Sequence, residues 1–105
     1  MVDRRGVLMV IYDLPTVELA DKRAHAAFRR QLLRDGDMAL QESVYVKLVR
    51  NISSEKDERR WLNEVAPTKG QVSLLPLSLN QFKQLAPIRG EGFDMSLFSD
   101  DMVWL

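Results

Sequence analysis

Apolar and polar positions divide this chain into short runs of two-residue period and longer runs of helical period. Residues 7–12, Val-Leu-Met-Val-Ile-Tyr, are apolar without a break and end at one carboxylate, Asp13. A run that short, rich in β-branched and aromatic residues and closed by Leu14-Pro15-Thr16, predicts a strand buried on both faces. Alternation sets Val7, Met9, Ile11 and Asp13 on one face and Leu8, Val10 and Tyr12 on the other. A helix is expected to begin near residues 19–21, with Ala20, Ala24, Ala27, Phe28 and Leu32 as its core stripe. Gly36 stands where a helix ends on a residue of positive φ. Residues 37–41 fit a short strand. Residues 43–50 fit a strong one, with Val44, Val46 and Leu48 opposed to Ser43, Tyr45 and Lys47. After a turn, Ser54 and Asp57 suit a variant capping box. The second helix carries Trp61, Leu62 and Val65 inward, exposes the charged residues 55–60, and stops before Pro67. Residues 70–77 read as a strand whose Pro76 marks an edge. Residues 78–85 allow one helical turn with Leu79, Phe82 and Leu85 inward, and residues 86–89 a short extra strand.

The order β-α-β-β-α-β predicts an α+β, ferredoxin-like sandwich with a four-stranded antiparallel sheet plus that short C-terminal strand. The expected division is a domain over residues 1–90 and an acidic, apolar tail over 91–105. Two helices cover one face of such a sheet, yet the first strand is apolar on both. A second copy of the chain is the simplest cover for the other face, which predicts a homodimer through the sheet. Two Asp13 carboxylates meeting across that axis, with water and phosphate oxygens, would make a plausible Mg²⁺ site.

Composition narrows the chemistry further. The chain has 105 residues and no cysteine, which excludes disulfides, thiolate metal sites and a cysteine nucleophile. It shows no signal-peptide pattern and no run of membrane-spanning length, so a soluble cytoplasmic protein with no membrane contact is expected. Net charge is zero but uneven. Fifteen bases stand against eleven acids up to Arg89, and four acids with no base follow it, giving +4 and then −4. Arg23, Arg30 and Arg34 recur at i, i+7 and i+11 beside the apolar stripe, with Lys22 and Arg29 on the far side. They form either a solvated cationic face or a phosphate-binding edge. The tail holds Phe93, Leu97, Phe98 and Trp104, too apolar a set for a purely solvating end.

No familiar catalytic constellation is present. His25 stands alone, and no glycine-rich phosphate loop or nucleophile elbow is found. Asp13 remains, either as a residue that caps the following turn or as a metal-binding carboxylate.

With these residues in view, the chain resembles the Cas-two (Cas2) family of small CRISPR-associated proteins. The resemblance rests on Ile11-Tyr12-Asp13-Leu14-Pro15-Thr16, the Arg29-Arg30 pair, the Gly36 turn, residues 40–45 (Leu-Gln-Glu-Ser-Val-Tyr) and residues 69–72 (Lys-Gly-Gln-Val). It covers roughly residues 6–90 and is nearest to versions from single-effector systems. It implies a ferredoxin-like homodimer that works with the CRISPR integrase, Cas-one, in spacer acquisition. Such a dimer bridges integrase dimers and holds the duplex DNA of the incoming spacer on a basic surface, here Arg23, Arg29, Arg30 and Arg34. The family is also described as metal-dependent endonucleases of RNA or DNA, with Mg²⁺ on the aspartate that maps to Asp13. Phe93, Leu97, Phe98 and Trp104 are expected to anchor the tail on a partner. The alternatives are an endonuclease that acts on its own and a small regulatory domain that binds a ligand.

Overall fold

The computed structural model describes residues 3–94. The element order is β1 (Gly6–Asp13), α1 (Leu19–Arg34), β2 (Met38–Gln41), β3 (Val44–Val49), α2 (Glu55–Val65), β4 (Gln71–Ser78) and the single turn α3 (Leu79–Phe82). A 3-10 turn over Ile52–Ser54 leads into α2. The four strands form one antiparallel sheet in the order β2-β3-β1-β4, an α+β arrangement consistent with the ferredoxin-like expectation. Pro76 lies in β4, an edge strand, where its missing N–H removes no bond from the centre of the sheet.

Register explains the two-sided character of β1. Val10 stands opposite Tyr45 and Leu74, and Leu8 opposite Lys47, so these residues share the helix-covered face. Val10, Tyr12, Leu14 and Tyr45 there pack with Phe28 and Leu32 of α1 and Leu62 of α2. Val7, opposite Leu48 and Leu77, belongs to the other face. That face has its own core of Val7, Val46, Leu48, Leu79 and Phe82, with Met9, Leu40, Leu77 and Phe93 packed against it.

Several expectations change here. The second face is not left wholly to another molecule: α3 and Phe93 cover its Val7 end, and the Phe93 ring meets Phe82 edge-on at 5.4 Å. The opposite end stays open, with Ile11 41% and Leu75 45% exposed. Residues 86–89 form no strand, so the extra strand is absent among the described residues. Ser54 does not cap α2; the Asn51 side chain caps the preceding 3-10 turn instead, accepting from the Ser53 N–H at 3.0 Å. Leu85 is 42% exposed rather than inward. Ala20 and Ala24 are exposed, and the core contact of α1 is made by Phe28 and Leu32, with Asp21 also buried. Glu58, expected among exposed charges, is buried. Gly36, at φ 97°, ends α1 as anticipated. No helix among the described residues is long and apolar enough to cross a membrane.

Candidate functional site

Asp13 ends β1 on the face away from the helices, and its side chain is exposed. The backbone beneath it is held from both sides. Gln71 is its partner on β4. Gly70, at φ +89°, brings its Cα so close that an added Cβ would lie 2.5 Å from the Asp13 carbonyl oxygen and 2.9 Å from Leu14. Only glycine tolerates both the dihedral and the approach. On the other side the Tyr12 N–H donates to the Ser43 carbonyl at 3.0 Å, tying the β2–β3 turn to the end of β1. Ser43 itself takes φ 65°, a left-handed conformation unusual for a residue with a side chain. The carboxylate of Asp13 accepts no hydrogen bond and joins no ion pair among the described residues.

Behind Asp13, on the helix side, lies an aromatic group. Tyr12 stacks on Tyr45 at 6.0 Å between ring centroids and meets Phe28 and His25 edge-on at 5.4 and 5.6 Å. Burial, reinforced by Tyr45, pushes the Tyr12 phenol up to about 12. Tyr12 therefore stays neutral, and both rings serve as packing with polar tips. Arg29 Nε donates to the Tyr45 hydroxyl at 2.8 Å. A cleft of about 420 Å³ opens here, lined by Tyr12, His25, Arg29, Gln41 and Ser43 among others. A second of about 360 Å³ lies across His25, between Leu14, Ala24 and Lys69. Lys69 reaches the Asp21 carboxylate at 3.4 Å, so the turn before β4 is fastened to α1.

The arginines divide by position. With about 3.6 residues per turn, Arg23, Arg30 and Arg34 fall in one strip of α1 opposite Phe28 and Leu32, and all three are exposed. They lie opposite the core, not beside it. None makes an ion pair among the described residues. On α2, by contrast, Arg59 is paired with Glu55, and Arg60 with Asp57 at 3.9 Å. Arg29 is exposed but leaves the strip, because it is tied to the sheet through Tyr45. Asp13 and the arginine strip therefore face different sides of the molecule, and one chain does not bring them together.

Comparison with known proteins agrees with the resemblance. The model of the family described as CRISPR associated protein Cas2 matches residues 7–85. The chain belongs to the Cas2 family. Relatives named "CRISPR-associated endoribonuclease Cas2" include one from Acidovorax ebreus, 34% identical over 83 residues, which covers 79% of this chain and 81% of the relative. Another, from Streptococcus mutans, is 33% identical over 94 residues, 90% of this chain and 87% of the relative. A third, from Treponema denticola, is 28% identical over 94 residues, 90% and 93% of the two chains.

A Cas2 nuclease suggests a metal ion, and the two acidic regions of this chain meet that need differently. Asp13 belongs to no group of three close ligands among the described residues. One exposed carboxylate is too few hard oxygen ligands to hold Mg²⁺. The carboxylates of Asp35, Asp37 and Glu58 do lie together where the end of α1, the start of β2 and α2 converge, Asp37 and Glu58 buried and Asp35 half-buried. Lys47 of β3 pairs with Asp35 and, at 2.8 Å, with Glu58. Burial is the main cause that raises both Asp37 and Glu58 to about 7. The sequence pattern missed this cluster. Its available signal was Lys47, a charge placed by alternation on the helix-covered face beside Tyr45. Of the anchors expected in the tail, Phe93 packs on its own domain, while Leu97, Phe98 and Trp104 lie outside the described residues.

Proposed function

We propose that this chain is a CRISPR adaptation protein: a homodimer that bridges integrase dimers and holds the duplex DNA of a new spacer during its integration into the array. The observation that carries this reading is the unpaired arginine strip of α1. Three exposed guanidiniums without acidic partners among the described residues can contact phosphates, which set affinity and position but carry no base readout. A scaffold that accepts spacers of any sequence needs that kind of contact. The open end of the second sheet face, around Met9, Ile11 and Leu75, is the surface on which a second copy would pack. The domain is residues 1–90, and the acidic, apolar tail over 91–105 is assigned to the integrase, which its charge would keep clear of DNA. Titration of duplex DNA across a salt series tests the reading. Replacing Arg23, Arg30 and Arg34 by Ala should weaken binding and reduce the salt slope by about one unit per lost contact. An unchanged affinity and slope would make the strip a solvated face.

That relatives are named endoribonucleases supports a second reading, an endonuclease, which we take to be metal-dependent and to act on RNA or DNA. It rests on Asp13 and on the dimer, because two such carboxylates facing across a two-fold axis would give a Mg²⁺ ion the ligands that one chain lacks. The bridging role does not depend on that activity.

A further inference from the structure

A cluster of carboxylates distinct from Asp13, two of them buried, lies within the chain. Asp37 is 4% exposed, and neither of its carboxylate oxygens has a hydrogen-bond partner. Glu58 is 7% exposed, and its Oε1 is likewise unpartnered while Oε2 accepts from Lys47 Nζ at 2.8 Å. Asp35 completes the group, paired with the same ammonium. One ligand oxygen from each of the three carboxylates lies within 4.8 Å of the others. Oxygens on opposite sides of one Ca²⁺ with bonds of about 2.4 Å stand about 4.8 Å apart, so the spacing suits a single hard cation. Ionised, the three carboxylates carry −3 and Lys47 returns +1. The residual −2 balances the +2 of one divalent cation. The C-terminus of α1, which Asp35 caps, adds its negative dipole to the same place. Beside the cluster, Gln31, Arg34, Asp35, Trp61 and Val65 line a cleft of about 340 Å³ open to solvent, and Gln31 Oε1 is another buried oxygen without a partner among the described residues.

We propose that Asp35, Asp37 and Glu58 form an intrachain binding site for one hard divalent cation such as Mg²⁺, Mn²⁺ or Ca²⁺, with Lys47 as the fixed counter-charge that holds two of the carboxylates in place. The site needs no second subunit and no nucleic acid. A cation there locks the end of α1, the start of β2 and the middle of α2 to one another. Oxygen ligands alone favour these ions over Zn²⁺ or Cu²⁺, which prefer nitrogen and sulfur.

Mn²⁺ titration followed by electron paramagnetic resonance, on the full chain carrying Asp13→Asn so that the strand-end carboxylate is out of play, tests the proposal. The expected result is one bound Mn²⁺ per chain, displaced by Ca²⁺ or Mg²⁺, with the melting temperature raised by the ion. Adding Asp37→Asn, which keeps the shape and removes a buried charge, should weaken binding about tenfold or more. Glu58→Gln should do the same, so the result does not depend on the folding of one variant. Absence of Mn²⁺ binding in the Asp13→Asn protein would overturn the proposal, as would binding of equal strength in the Asp37→Asn and Glu58→Gln variants, each folded by circular dichroism. Either failure leaves the bridging role untouched.

Discussion

At the scale of single residues, Asp13 and Gly70 divide chemistry from architecture. Asp13 projects from the end of β1 with no partner among the described residues, so replacing it should cost little stability. Asp13→Asn is expected to abolish any Mg²⁺-dependent cleavage of RNA or DNA while the melting temperature stays the same. Undiminished cleavage by the purified variant would remove Asp13 from the chemistry. Gly70 behaves in the opposite way. At φ +89° and with the Asp13 carbonyl 2.5 Å from where a Cβ would stand, Gly70→Ala forces the turn or the strand to move. It should destabilise the fold by about 1–3 kcal/mol, read by chemical denaturation. A neutral result would mean that the turn before β4 does not hold β1 in place. Of this site, Asp13 and its neighbours were legible from the sequence, because a carboxylate that closes an apolar run is visible as a break in pattern. Gly70 was visible only as a strand boundary, since what it approaches comes from 57 positions earlier in the chain and only the pairing of β1 with β4 brings them together.

At the scale of elements, alternation and helical period located the four strands of the sheet and the two long helices to within a residue or two, while the last helical turn is shorter than residues 78–85 allowed. They erred where tertiary contact overrules local pattern. Glu58 sits in a charged stretch that reads as solvated, but it faces Lys47, and each makes the other's burial tolerable. Residues 86–89 include Pro87, which has no N–H to give a ladder, and they pair with neither edge strand among the described residues. The cluster where α1, β2 and α2 meet has a pH signature. Folding raises Asp37 and Glu58 from the ordinary carboxylate range to about 7, so the folded chain binds more protons than the unfolded one between those limits. Stability contributed by these groups is present at low pH and is lost as pH rises from about 4 through about 7. In chelator, the melting temperature of the wild type is expected to fall between pH 5 and pH 8, and Asp37→Asn should flatten that fall. A melting temperature independent of pH would show that the folded carboxylates ionise as freely as unfolded ones. The arginine strip was read as a row but placed on the wrong side of the helix. Of the alanines read into the core stripe, Ala20 and Ala24 are exposed and Ala27 is half-buried, and Phe28 and Leu32 set the true core direction.

At the scale of the whole molecule, the expected demand for a partner survives in reduced form. α3 and Phe93 bury one end of the second sheet face, and the apolar end around Ile11 and Leu75 stays open. Sedimentation equilibrium should find a dimer at micromolar concentration, and Leu75→Glu should shift it to a folded monomer. A wild-type monomer throughout that range would leave the open face to another partner. The tail over 91–105 is expected to matter to the assembly and not to the dimer. Its deletion should weaken integrase binding in a calorimetric titration. Loss of the folded dimer instead would assign the tail to its own body, which the contact of Phe93 with Phe82 already begins. The central claim, that this dimer bridges integrase across a duplex, is tested most directly by the mass of the complex formed when the protein, the neighbouring integrase and a short duplex are mixed. The bridging account predicts one species that holds a central dimer of this chain, two integrase dimers and one duplex, lost when Arg23, Arg30 and Arg34 are replaced by Ala. Integrase and duplex that assemble to the same mass with and without this protein would contradict it.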